Sequence, residues 1–256
     1  MKIAWYGTAT LSLESGHTKL FLDPFRRMSK KLAPLDPGRF SSHDALLLTH
    51  GHFDHVTGVP AVLAENPDLP IRCTKTPYES LLSMGVPEKN LRLISPGDTF
   101  TVGDFAVRVH AGKHIAFDLK YILSVVPKCA VMFPRAFKLL GLIKALPEND
   151  ETVAFEISAE GKTVFLMGSF GVRDLAAYPK SPDLFVFPYS GNSGIRELSA
   201  DFLREVRPKA VLFDHFDDSF PPLTKRMKVE AFCGHVNSLY PDMKLIVPEE
   251  GVYYTI

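Results

Sequence analysis

Apolar and polar positions alternate through residues 2–6, 10–15 and 18–23, with Gly7 and Gly16 between them. A period of two predicts an antiparallel meander in which each strand hides every other side chain. Leu20-Phe21-Leu22 then meets Asp23-Pro24, where a residue without an N–H stops the ladder. Residues 26–43 lose the pattern. Arg26, Arg27, Lys30, Lys31, Pro34 and Pro37 predict a long polar loop, of a length common in lids or disordered segments, and His43 within it is expected to be solvated. Leu46-Leu47-Leu48 is a continuous apolar run, read as the end of a buried strand. Gly58 to Glu65 predicts a short helix starting near Pro60, and 71–74 a strand. A second helix runs to Met84, with Thr76 as N-cap, Pro77 at its first position and Gly85 closing it. That rhythm covers one face of a sheet, as in layered α/β proteins.

Two hairpins follow, 99–102 with 104–110 about Gly103-Asp104, and 152–158 with 162–166 about Glu160-Gly161. Residues 183–187 and 209–213 read as buried strands, 195–206 and 224–239 as helices, and 243–256 as two short strands. Between the hairpins lies residues 115–148, dense in apolar residues from Ile122 to Phe133. From Phe137 to Leu146 it is helical in period, with Arg135 just before and Lys138 and Lys144 interspersed. The plainer expectation is ordinary core or a contact in a homo-oligomer. The functional one is an apolar cap insertion over a site, selecting a substrate with an apolar moiety. No repeat, linker or low-complexity tract divides the chain, so a single domain spanning 1–256 is expected.

The polarity flips at Thr49-His50-Gly51-His52-Phe53-Asp54-His55. Three imidazoles and a carboxylate within six residues cannot converge from a helix, where i and i+2 point to opposite sides. A tight strand-to-helix turn can bring them together, and Gly51 eases the bend. Imidazole plus carboxylate suits zinc, iron or manganese. Further on, Tyr189 and Asn192 in the loop after a strand are candidates to hold a substrate oxygen, although a structural turn explains them as well.

Composition narrows the partners. Lys plus Arg and Asp plus Glu are equal at 29 each, with no basic tail or stripe, so nucleic acid is not an expected partner. No segment reaches the ~20 uninterrupted apolar residues of a membrane span. The N-terminus runs straight into strand-like sequence without a cleavage site, so a cytoplasmic location is expected. Cys73, Cys129 and Cys233 are far apart, without metal spacing, and read as plain thiols.

The pattern His-x-His-x-Asp-His at 50–55 resembles the signature of the metallo-β-lactamase fold superfamily. The resemblance implies an α/β fold, a four-layer αββα sandwich of two mixed β-sheets flanked by helices. His110-Ala111-Gly112-Lys113-His114 resembles the superfamily's next motif, with His114 as the ligand. The strand before Asp214-His215 matches the place of the final ligand, His215. The stretch from His215 to Pro222 looks like the lactonase-like and phospholipase-D-like branch. By this mapping His50, His52 and His114 hold one metal, and Asp54, His55 and His215 another. One or two divalent ions are implied, zinc foremost, with Mn or Fe as alternatives. The implied activity is hydrolysis of an ester, lactone or phosphoester by a metal-bound hydroxide, with Asp54 as the catalytic residue that orients it or passes its proton on. Asp23 ends a strand near the site in the family and is expected to orient a histidine. Met167-Gly168-Ser169 departs from the pattern, because Ser169 stands where a bridging aspartate is usual. The two groups are then expected to differ in affinity, with the three-histidine group persisting in some form or a single ion shared between the two. Outside this class, a non-catalytic or regulatory metal-binding protein is the alternative, and among enzymes a nuclease.

Overall fold

The alternating N-terminal pattern builds the middle of a sheet in a computed structural model that describes residues 1–256. Strands β1 (Lys2–Trp5), β2 (Leu11–Ser15) and β3 (Thr18–Leu22) form the antiparallel meander. To it are added, in parallel, β4 (Ala45–Leu47), β5 (Ile71–Cys73) and β6 (Leu91–Leu93), and on the far side the C-terminal β14 (Tyr253–Thr255), giving the order β14-β1-β2-β3-β4-β5-β6. The second sheet repeats this plan. Its strands β7 (Thr99–Val102), β8 (Phe105–Ala111), β9 (Val153–Ala159) and β10 (Lys162–Met167) are antiparallel. Then β11 (Leu184–Pro188), β12 (Ala210–Asp214) and β13 (Lys244–Ile246) join in parallel.

Period two decides which core each residue enters. Ile3, Trp5, Leu20, Leu22, Ala45 and Leu47 point into a 43-residue cluster shared with the second sheet. Their neighbours Ala4, Phe21, Leu46 and Leu48 point the other way, into a 20-residue cluster under helices α1 (Phe53–Val56), α2 (Val59–Glu65) and α3 (Lys75–Ser83). On the second sheet's outer face, Phe185 and Phe187 pack against Phe202 and Phe232, from α6 (Ile195–Val206) and α7 (Glu230–Leu239). The result is the αββα sandwich. Residues 115–148 belong to neither sheet: they form the helical pair α4 (Leu119–Val131) and α5 (Phe133–Ala145).

Several local expectations change. Thr74, not Thr76, is the N-cap of α3, and Thr76 instead donates its backbone N–H to Glu151. Residues 224–229 are not helical, and α7 starts at Glu230. The short strand β6 was not legible, since Leu91-Arg92-Leu93 offers only three residues of alternation. Residues 26–43 are the largely exposed, irregular loop expected, but the loop is pinned to the first sheet near its end. A short 3-10 helix (Pro37–Phe40) seats Phe40 on Phe21, with ring centroids 3.7 Å apart.

That packing also corrects His43, which is buried. Its Nε2 sits 2.7 Å from Ser12 Oγ, and its Nδ1 has no partner. Burial first, and then Lys19, lower its pKa to about 4 from 6.5. A depressed folded pKa means that the unfolded chain takes up the proton first as pH falls. Stability should therefore be lost between roughly pH 6.5 and 4. Lowering the pH from about 7 to 5 should cost the native protein on the order of 1–2 kcal/mol more than it costs His43→Gln. Denaturant midpoints at the two pH values check this, and parallel loss in both proteins would remove His43 from the account.

Candidate metal centre

The six mapped residues come from loops at the ends of β4, β8 and β12. His50 and His52 lie in the turn after β4, and Asp54 and His55 on α1. Gly51 is needed here because a Cβ would sit 2.6 Å from the Pro147 carbonyl oxygen. His114 follows β8, and His215 follows β12 in a left-handed conformation (φ 56°), its N–H donating to the Thr8 carbonyl at 3.0 Å. Such backbone in a non-glycine residue persists only where the surroundings hold it.

Two groups of three donors result: His50, His52 and His114, and Asp54, His55 and His215. Within each, the donor atoms lie within 4.8 Å of one another. His50 Nε2 is 3.2 Å from His52 Nδ1, and His55 Nε2 is 3.3 Å from His215 Nε2. The groups adjoin, with His50 and His55 ring centroids 3.9 Å apart.

Outer partners settle the orientation of these rings. Asp23, itself left-handed (φ 46°), accepts from Thr49 N at 2.9 Å, from Thr49 Oγ1 at 2.7 Å and from His55 Nδ1 at 3.0 Å. Thr49 Oγ1 in turn lies 3.1 Å from His50 Nδ1. His114 Nδ1 donates to the Ile115 carbonyl at 2.9 Å, and His215 Nδ1 to Asp214 Oδ1 at 3.0 Å. With these Nδ1 atoms occupied as donors, Nε2 of His50, His55, His114 and His215 is left as the nitrogen with a lone pair to offer. Gly168 guards the hub, since a Cβ there would meet Thr49 Oγ1 at 2.0 Å. Nothing in the sequence pattern singles out Thr49. For Asp214 the only signal is its adjacency to His215.

Electrostatics follow from burial and crowding. Burial, then His55 and His52, hold His50 well below the usual imidazole range. Burial and His52 bring His114 down to about 4, and burial also lowers His52. Burial would push the Asp54 carboxyl up, but His55, His52 and His215 outweigh it and hold it low. His215 goes the other way. Burial would depress it, yet the Asp214 carboxylate beside it raises it to about 9. Nε2 of His55 and of His215 face each other at 3.3 Å while both Nδ1 atoms donate to carboxylates, a geometry that leaves two nitrogen lone pairs turned to one point. The donor set fits a divalent ion on that ground: imidazole nitrogens with free lone pairs, one carboxylate, and outer acceptors that fix the rings.

Both groups open into a cavity of about 400 Å³ in which 13 of 24 lining residues are hydrophobic, so its wall is apolar around a polar floor. His52, Asp54, His55, His114, Ser169 and His215 are on the floor. Tyr121, Val125 and Cys129 of α4 and Leu140 and Ile143 of α5 form the wall. None of residues 26–43 reaches it. Tyr189 does not line it either: its ring is buried among Phe187, Phe213 and Phe232, because alternation along β11 turns it into the core. Asn192 is occupied at both ends of its amide, donating to the Ala116 carbonyl at 2.9 Å and accepting from Gly194 N at 2.8 Å. Both are structural. Their neighbours Ser190 and Gly191 line the cavity instead. Ser169 Oγ accepts the Ile115 N–H at 3.0 Å.

A family model describing the Beta-lactamase superfamily domain matches residues 2–214. A protein of Myxococcus xanthus named a UPF0173 metal-dependent hydrolase is 27% identical over 256 residues, covering 98% of this chain and 81% of its own. Other curated relatives align over less than half of this chain and about half of their own length. Among solved structures, Igni18, a metallo hydrolase from Ignicoccus hospitalis, has a TM-score of 0.67 at 17% identity and covers 100% of this chain and 98% of that one. Zn(2+)-bound PqqB from Methylobacterium extorquens has a TM-score of 0.63 at 14% identity, covering 100% of both chains. At such identities the two structures speak for the fold.

Proposed function

This chain belongs to the beta-lactamase superfamily domain family, and from that premise we propose that it is a metal-dependent hydrolase opening an ester, lactone or phosphoester bond in a small substrate with an apolar moiety. The observation that carries the reading is the convergence of two donor triads on the floor of one apolar cavity. The Myxococcus xanthus relative, named a metal-dependent hydrolase, supports the activity, and the Zn(2+)-bound neighbour supports zinc, with Mn or Fe as alternatives. His50, His52 and His114 would hold one ion and Asp54, His55 and His215 another. A divalent ion there supplies Lewis acidity and brings the pKa of water toward about 7.

The remaining work falls to the chain. Asp54 is held ionised by the surrounding imidazoles, so its free oxygen can accept a proton and return it to a leaving group. Asp23 and Asp214 keep His55 and His215 in the ligating tautomer. The walls from α4 and α5 exclude water and accept the apolar moiety.

A second reading, a non-catalytic or regulatory metal-binding protein, is favoured by the neutral Ser169 where a carboxylate is usual in the family. A single experiment separates the two. Metal content is measured, then turnover on nitrophenyl esters, lactones and a phosphodiester, before and after chelation and readdition of Zn or Mn. We expect turnover on at least one class, lost on chelation and restored by metal. Firmly bound metal with no turnover on any class would put the second reading in its place.

A further inference from the structure

The helical pair α4–α5 is apolar on both of its sides, and only one of them meets protein. Along α4 the half-buried positions Tyr121, Val125 and Cys129 recur every four residues and face the cavity. The helix has no fully buried residue. Leu119 and Leu123 on its other side are 69% and 59% exposed. In α5, Ala136 and Leu139 are buried while Phe133 and Phe137, one turn apart, are 66% and 70% exposed, and Val131 at the end of α4 is 87% exposed. A helix apolar all round belongs inside protein or lipid, and a contiguous exposed apolar patch marks an interaction site.

Charge tells what covers it. Residues 119–147 hold Lys120, Lys128, Arg135, Lys138 and Lys144 and no aspartate or glutamate, in a chain that as a whole carries 29 charges of each sign. A second copy docked on this face would set five cations against five, with no acid in the segment to offset them. A surface of anionic lipid answers both features, taking the leucine and phenylalanine side chains at the acyl boundary and the amines at the headgroups. Each helix has 13 residues, short of the ~20 that span a bilayer, so the pair lies on the surface.

We propose that α4–α5 docks this chain on an anionic lipid bilayer, with Leu119, Leu123, Val131, Phe133 and Phe137 inserted at the interface. The same helices wall the cavity, so docking brings that wall against the bilayer. A lipid-soluble substrate then reaches the cavity without leaving an apolar surrounding. The docking stands apart from the hydrolase reading, because vesicle binding requires neither metal nor turnover.

The test is co-sedimentation of the full chain with vesicles of phosphatidylcholine alone or mixed with phosphatidylglycerol. Partition should be at least about tenfold stronger on the anionic vesicles and fall with added salt. The double variant Phe133→Ser/Phe137→Ser should lose at least about tenfold in partition. The triple variant Lys120→Gln/Lys138→Gln/Lys144→Gln should lose the preference for anionic lipid. None of these residues lines the cavity and all are exposed, and circular dichroism with thermal melts confirms that the variants remain folded. Failure to bind anionic vesicles overturns the proposal. So does binding that the phenylalanine pair does not alter, or a stable dimer in light scattering that the same pair disperses.

Discussion

Asp54→Asn should lower turnover by about 10²–10⁴-fold, the range for a positioned proton-transfer group, while KM changes far less. The substitution keeps the shape and one oxygen donor but removes the charge and the proton-accepting capacity. In the native protein, the carboxyl is held low by His55, His52 and His215 against a burial effect that alone would raise it. Asp54 Oδ2 lies 3.8 Å from His55 Nε2. Asparagine should therefore weaken metal at its own triad and leave His50, His52 and His114 still liganding. Measuring metal content with kcat separates the two losses. A variant that retains its metal yet turns over at the native rate would remove Asp54 from the proton path.

The sequence made the fold legible where a period was long enough to read. Alternation over 2–23 specified both faces of the first sheet, since Leu20 and Leu22 enter one core and Phe21 the other. It failed where a strand has three residues, as in β6, and where burial comes from a distant partner. His43 sits in a polar-looking segment that is held down by Phe40 stacking on Phe21, and no local pattern announces that contact. The site divides in the same way. Imidazoles crowded at 50–55 announce themselves, whereas Thr49 and Asp214 act through neighbours and have no motif of their own. Tyr189 and Asn192 looked exposed to a ligand because they follow a strand. Only the register of β11 and the reach of Ala116 tell that they serve the fold. The antiparallel half of each sheet was legible in the meander and the hairpins, whereas the order in which the parallel strands join has no local signal, because that pairing is set by packing between distant segments.

Ser169→Asp should raise metal content from about one toward two ions per chain after dialysis. Two divalent ions a few ångströms apart repel, and a bridging carboxylate normally offsets that repulsion. Ser169 supplies a neutral oxygen whose partner is the Ile115 N–H. An aspartate keeps an acceptor for that N–H, so the fold should tolerate it. The structure also bears on which ion is firmer. Sequence reasoning favours the three-histidine group, but negative charge gathers at the other: Asp54 belongs to it, Asp23 stands behind His55 and Asp214 behind His215. Behind His50 and His114 stand only a hydroxyl and a carbonyl. Outer carboxylates make a ligating imidazole more basic, and their loss typically costs 10–100-fold in affinity. The ion at Asp54, His55 and His215 is therefore expected to be the tighter one. His215→Ala should strip the metal that survives dialysis, while His114→Ala should keep it. In Ser169→Asp the second ion should appear and depend on His114. Equal and full occupancy of both groups in the unmodified chain would refute the asymmetry, and another anion would then have to supply the charge that Ser169 lacks.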